Sequence, residues 1–140
     1  MTAARGGEIS PAADGPYEKI RARRRLIIPK TTVRYQVHRL WIRKSSYSNQ
    51  CPLVDVSSDG LAFLADQALR PRQRVSLLLK FPREEEILRL EGREVYAVAT
   101  GIAGYRYRIG IRFLPFAERR GSNTPKALDV LLRIEKAFSD

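Results

Sequence analysis

The stretch Cys51–Leu64, CPLVDVSSDGLAFL, carries a polar corner between two short apolar runs. Cys51–Val56 and Leu61–Leu64 have the composition of strands, and Asp55–Gly60 between them has the pattern D-x-S-x-x-G. Short polar side chains at such a corner bond backbone amides or a ligand, and glycine lets a ligand or another chain approach closely. The stretch therefore predicts two consecutive strands joined by a tight turn, with polar groups available at the turn.

Further strands are predicted on both sides of this corner. β-branched and aromatic residues dominate Thr32–Arg43, apolar residues dominate Val75–Phe81, and Ile87–Val98 is a longer strand that Gly92 is expected to break. Tyr105–Phe113, YRYRIGIRF, alternates most clearly; its arginines are expected on an outward face, and its central glycine at a bulge or close backbone approach. Six short strands with hairpin links predict a small closed barrel.

The hydrophobic period becomes helical after the last strand. Thr124 followed by Pro125 has the form of an N-cap and a first helical residue. A largely one-sided apolar stripe follows, made of Leu128, Leu131, Leu132, Ile134 and Phe138. We expect a C-terminal helix that covers one face or mouth of the barrel, so that the fold is mainly β with one C-terminal α-helix.

The chain has 140 residues, the size of one ordinary domain, and a strong excess of positive charge. Its 26 lysines and arginines against 15 acids give a formal net charge of +11, which predicts anionic partners such as nucleic acid, phosphate-bearing ligands or an acidic surface. Most of the basic residues are arginines, which suit bidentate recognition of phosphate. Residues 1–16 are rich in Ala, Gly and Pro and predict a mobile tail, whereas residues 17–25 predict a basic helical turn or extended arm.

Composition excludes several classes of site. Cys51 is the only cysteine and His38 the only histidine, so an internal disulfide and a cysteine-based zinc site are ruled out. His38 lies in a predicted strand, where a half-exposed structural position is expected rather than a catalytic one. The acids Glu84–Glu86 form a charged loop without a histidine partner, so no metal site is predicted. No apolar run reaches the roughly 18 residues of a membrane span, and the N-terminus lacks a signal-peptide core, so a cytoplasmic protein is expected. The sequence offers no plausible nucleophile–base set, metal cluster or glycine-rich phosphate loop, so a protein without enzymatic activity is expected.

Two motifs stand in order along the chain and carry a family resemblance. Arg21-x-x-x-Arg25 precedes the first strand, and Asp55-x-Ser57-x-x-Gly60 lies between the second and third. This pairing resembles the PilZ domain, the bacterial receptor module for cyclic di-GMP, and the resemblance covers roughly residues 19–116. It implies a six-stranded antiparallel PilZ-type β-barrel without catalysis, over residues 17–116 with an arginine arm at 19–25, followed by the C-terminal helix within 117–140.

The resemblance also implies a binding site for cyclic di-GMP, with no metal and no cofactor besides that ligand. The arginines would meet phosphates and the guanine O6/N7 edge, because guanidinium forks match both. Asp55 would accept from guanine N1–H and N2–H₂, Ser57 would contact the ligand or fix the corner, and Gly60 would leave room for a base. The residues expected to bind the ligand are Arg21, Arg24, Arg25, Asp55, Ser57, Gly60 and Tyr96.

Simpler interpretations of the same residues stay open. The arginine cluster is also typical of a solvated charge run or a nonspecific nucleic-acid arm, the D-x-S-x-x-G corner of a structural turn, and Tyr96 of a half-buried sheet aromatic. Three functions follow: a cyclic di-GMP receptor that acts on a protein effector in trans, a small basic nucleic-acid-binding barrel, or a PilZ-like adaptor that does not bind ligand. The sequence leaves open the effector protein, the physiological output, the ligand stoichiometry, the oligomeric state and which arginines make the contacts.

Overall fold

The barrel predicted from the alternating runs is present in the computed structural model, which describes residues 25–38 and 46–138. Six antiparallel strands close in the order β1-β2-β3-β6-β5-β4. The elements are β1 (Thr32–Val37), β2 (Cys51–Val56), β3 (Gly60–Ala65), β4 (Arg74–Lys80), β5 (Leu88–Ala99), β6 (Tyr107–Phe113) and the helix α1 (Pro125–Phe138). The prediction of a mainly β, six-stranded antiparallel barrel with a C-terminal helix is confirmed.

The interior of the barrel is filled by one face of each strand. Side chains on this face are aliphatic or aromatic and lose all or nearly all contact with solvent; they include Val33, Phe63, Val75, Leu77, Leu79, Leu90 and Ile109. Strand β3 differs from the others because its outward residues Ala62 and Leu64 are buried as well. Such a strand reads as a continuous apolar run rather than an alternation, which is the pattern Leu61–Leu64 shows.

The expected break of β5 at Gly92 is wrong, because the strand continues through that residue. A side chain at Gly92 would place its Cβ 2.7 Å from the Arg112 carbonyl oxygen, so glycine permits close approach of β6 without interrupting the ladder. The irregularity lies further on, where the pairing with β6 shifts between Glu94 and Tyr96. Glu94 pairs with Ile111 and Tyr96 with Gly110, so one extra residue is accommodated in β5.

The helix begins as the sequence predicts. Pro125 is its first residue, and the Thr124 hydroxyl accepts a hydrogen bond from the amide of Ala127 at 3.2 Å, which satisfies one of the free donors of the first turn. Leu131 and Ile134 are buried together with Ala127. These residues follow a four-then-three spacing and define the face that packs on the barrel.

Two residues of the predicted apolar stripe, Leu128 and Leu132, are not among the side chains packed on the core, and Leu128 is only partly buried. Leu132 is 45% exposed, because it lies one position beyond the buried Leu131 and the helix turns about 100° per residue. The unpredicted Ala127 and the partly buried Val130 supply the packing instead.

The loop before α1 is fastened to the barrel by one side chain. The buried Asn123 accepts a hydrogen bond from the amide of Glu91 at 2.7 Å and donates to the carbonyls of Glu91 and Leu114 at 3.0 and 2.9 Å. Its backbone amide also donates to the carbonyl of Pro115 at 2.8 Å. Asn123 therefore forms hydrogen bonds with the backbone amide and carbonyl of Glu91 in β5, and these bonds fix the position at which the helix starts.

Replacing Asn123 with alanine is expected to lower the free energy of unfolding by about 2 kcal/mol, because it removes these side-chain bonds and leaves the part-buried Glu91 amide without its partner. Urea denaturation followed by circular dichroism measures the change. The neighbouring Ser122→Ala is the control, since the hydroxyl that it removes accepts a 3.4 Å hydrogen bond from the exposed Arg119, and it should cost less than about 0.5 kcal/mol. Equal effects of the two variants would contradict the role of Asn123.

Candidate functional site

The start of the described chain is anchored beside the end of β2. Leu26 and Val56 exchange two backbone hydrogen bonds, of 2.8 Å from the Leu26 amide and 3.0 Å from the Val56 amide. Leu26 and Ile28 are buried in the core, whereas Ile27 between them points to solvent. This extended, alternating segment places Arg25 directly over the outer side of β2.

Asp55 is the point where the two sequence motifs meet. Its Oδ1 lies 3.0 Å from Nη1 of Arg25. Its Oδ2 lies 3.4 Å from Nη2 of Arg108, which belongs to β6. The Asp55 side chain is only 14% exposed, so the carboxylate lies partly desolvated between two guanidiniums. These three side chains together carry one uncompensated positive charge.

Tyr96 closes the other side of this face. Its hydroxyl accepts a hydrogen bond from Nε of Arg108 at 3.1 Å. The strand pairing puts Asp55, Ala62, Gly110 and Tyr96 in one row across β2, β3, β6 and β5. The two middle residues are small. A Cβ at Gly110 would lie 2.2 Å from the Tyr96 ring, so only glycine leaves space for the ring at this position.

The corner after Asp55 is held by its own polar groups. The Ser57 amide donates to the Gly60 carbonyl at 2.8 Å, and the Ser57 hydroxyl donates to Asp59 Oδ1 at 2.5 Å. The Asp59 amide in turn donates to the Ser57 hydroxyl at 3.3 Å. Ser57 is buried, so its hydroxyl fixes the turn in this structure. A contact from Ser57 to ligand stays a prediction.

Gly60 begins β3 where that strand lies against β6. A Cβ here would lie 2.3 Å from the carbonyl oxygen of Ile111, which is backbone and cannot swing away. The glycine of the motif thus has a packing reason in addition to the ligand clearance predicted from the resemblance.

Of the residues predicted to bind ligand, Arg25, Asp55 and Tyr96 are brought to one patch, and Ser57 and Gly60 shape the adjoining corner. Arg21 and Arg24 lie outside the described residues. The sequence interpretation missed Arg108 as a member of the patch and gave it only an outward strand position. The alternation of YRYRIGIRF indicated its face correctly, but its neighbours follow from the strand order and from the pairing of β6 with β3 and β5.

His38 belongs to a different part of the surface. Its Nε2 lies 2.6 Å from the hydroxyl of Ser76, and that hydroxyl lies 2.8 and 2.9 Å from the two carboxylate oxygens of Glu91. His38 presents the same nitrogen, Nε2, to the Ser76 hydroxyl and, at 3.5 Å, to Glu91, whereas a nucleophilic triad uses one ring nitrogen for the serine and the other for the acid. His38 and Glu91 border a cavity of about 560 Å³ between the barrel and the start of α1.

The single cysteine is buried in the barrel wall. Burial raises the pKa of the Cys51 thiol, and burial is also the main reason that the pKa of the nearby Tyr35 phenol is raised. Both groups are therefore protonated at neutral pH. A neutral, buried thiol is a poor nucleophile and a poor metal ligand.

No protein-family model matches the chain, and no curated protein matches it. Among solved structures, the fold is similar to that of the Bacillus subtilis Inhibitor of motility, MotI/DgrA, with a TM-score of 0.57 and 10% sequence identity. The match covers 85% of this chain and 52% of the other, so this chain spans about half the length of that structure. The fold is PilZ-like. No helix of this PilZ-like barrel, within the residues described, is long and apolar enough to span a membrane.

Proposed function

We propose that this PilZ-like protein is a non-enzymatic receptor that binds cyclic di-GMP on the outer face formed by β2, β3, β6 and β5. The observation that carries the proposal is the ion pair of 3.0 Å between Arg25 and Asp55, which are 30 residues apart. It joins the arginine motif to the D-x-S-x-x-G motif beside the end of β2, where Leu26 pairs with Val56.

The chemistry of the patch suits a guanine nucleotide. A carboxylate such as Asp55 accepts from guanine N1–H and N2–H₂ together, and adenine offers no such pair of donors. Arg25 and the arm residues Arg21 and Arg24 supply forks for the phosphates and the O6/N7 edge. Tyr96 offers an aromatic ring at the far end of the row.

Ligand binding is expected to change a surface of the protein that binds a partner protein. The arm that carries Arg21, Arg24 and Arg25 would fold over the ligand, and the rearranged arm would form part of the contact with an effector in trans. Cyclic di-GMP is the ligand in this proposal and no further cofactor is required.

Isothermal titration calorimetry with cyclic di-GMP tests the proposal. Cyclic di-AMP, which has a different base, and GTP, which lacks the cyclic dinucleotide linkage, are the control ligands. We expect saturable binding of cyclic di-GMP alone. Arg25→Ala should weaken it by about 10-fold to 100-fold, because one or two charge-assisted hydrogen bonds are lost. Arg133→Ala is the matched control, since Arg133 lies on α1 and pairs with Glu84 at 2.9 Å.

Other results point to the other functions. If the titration shows neither binding heat nor saturation at tens of micromolar cyclic di-GMP, the receptor proposal is wrong. Binding to oligonucleotides that falls steeply with salt and ignores guanine content would favour the nucleic-acid barrel. A stable protein partner captured equally well with and without the ligand would favour the adaptor.

A further inference from the structure

Arg108 has more hydrogen-bonding capacity than its contacts use. Its Nε donates to Tyr96 and its Nη2 to Asp55, so two of the five N–H groups of its guanidinium have partners among residues 25–38 and 46–138. The side chain is 43% exposed. Donors of Arg108 therefore remain available beside the carboxylate without any movement of the barrel.

The charges around Asp55 leave room for an anion. Arg25 and Arg108 both contact this one carboxylate, at 3.0 and 3.4 Å. A second negative group placed between the two guanidiniums would balance the patch, and a phosphodiester, whose two oxygens match the guanidinium fork, suits this position better than a single-atom anion does.

A guanine that engages Asp55 competes with these arginines. Each carboxylate oxygen has about two lone pairs and already accepts from one arginine in this structure, so the two parallel donors of guanine find at most one further acceptor position on each oxygen, close beside the guanidiniums. The contact from Arg108, at 3.4 Å, is longer than that from Arg25, at 3.0 Å, and is therefore the weaker hydrogen bond. Arg108 is therefore the group that guanine displaces most easily.

We propose that Arg108 changes partner when ligand binds. In the free protein it holds Asp55 and Tyr96; when guanine takes the carboxylate, the released guanidinium moves to a phosphate of the same ligand. This inference rests on the proposed function and adds to it a phosphate-binding residue on β6, outside both sequence motifs. Release and capture are coupled, because the guanine that frees Arg108 from Asp55 belongs to the same ligand as the phosphate that Arg108 then binds.

Calorimetric titration of four variants with cyclic di-GMP tests the exchange. Arg108→Ala should bind about tenfold or more weakly, and Arg108→Lys should fall between it and the unmodified protein, since lysine keeps the charge without the fork. Tyr96→Phe removes only the hydroxyl that holds Arg108 in the free protein, so it should bind as tightly or more tightly. Arg112→Ala removes the same charge from the same face of β6 and should change the affinity by less than about threefold.

Two outcomes would overturn the inference, and a third would overturn the proposed function beneath it. Unchanged binding by Arg108→Ala would show that this arginine does not reach the ligand. Equal weakening by Arg108→Ala and Tyr96→Phe would show that Arg108 only positions its neighbours. Absence of binding by the unmodified protein would instead refute the proposed function on which the exchange depends, so the two failures are distinguishable.

Discussion

Gly60→Ala is expected to lower the free energy of unfolding by about 3 kcal/mol or more, the largest stability effect that we predict from a single methyl group. The new Cβ would lie 2.3 Å from the Ile111 carbonyl oxygen. Gly60 pairs with Arg112 in the β3–β6 ladder, so relief of the clash must separate two strands at the barrel's corner. Urea denaturation monitored by circular dichroism gives the free energy, and the midpoint should fall without loss of cooperativity.

Gly101→Ala is the matched control for this effect. Gly101 lies in the loop between β5 and β6, and a Cβ there meets no atom within 4 Å. Its replacement should change the free energy of unfolding by less than about 0.5 kcal/mol. If Gly60→Ala were as mild as Gly101→Ala, the strand contact would not be the reason for glycine at this corner.

Asp55→Ala is expected to weaken cyclic di-GMP binding by about 100-fold or more and to erase the preference for guanine. Two charge-assisted hydrogen bonds to the base would be lost, and each contributes enough to account for a tenfold change or more. The preference for guanine should disappear because no other described side chain of the patch is an anionic acceptor. Calorimetric titration with cyclic di-GMP and cyclic di-AMP measures both quantities.

The control for Asp55 keeps the same change in net charge. Asp129→Ala removes an exposed carboxylate from α1, away from the patch, and should leave affinity and base preference unchanged. Asp55→Asn separates charge from shape, because its amide oxygen still accepts one hydrogen bond from guanine whereas its amide nitrogen cannot; we expect it to bind more weakly than the unmodified protein and more tightly than Asp55→Ala. Binding by Asp55→Ala that equals that of the unmodified protein would assign guanine recognition to another residue.

Most of the fold was predictable because strand and helix periods are local properties of the sequence. The run Leu61–Leu64 predicted β3, and Thr124-Pro125 predicted the start of α1. Gly92 misled, since glycine in a strand marks either a break or a close approach and only the neighbouring strand decides between them.

The candidate site was predictable only where a motif marked it. The spacing of D-x-S-x-x-G singled out Asp55, whereas Arg108 is one of several arginines in an alternating strand. Its contact with Asp55 spans 53 residues of sequence and depends on β6 lying beside β3, which no local pattern encodes. The second function of Gly60, close contact with β6, was hidden for the same reason.

The extra residue in β5 decides which side chains at the end of this strand face the outer surface. Before it, even-numbered residues such as Leu90 and Glu94 are buried; after it, Ala97 pairs with the buried Ile109 while Tyr96 pairs with Gly110 on the outer face. The inward–outward alternation of side chains therefore shifts by one residue at Val95. If the alternation set by Leu90 and Glu94 continued without the extra residue, Tyr96 would point into the core, so the irregularity in β5 is what places Tyr96 on the outer face with the patch.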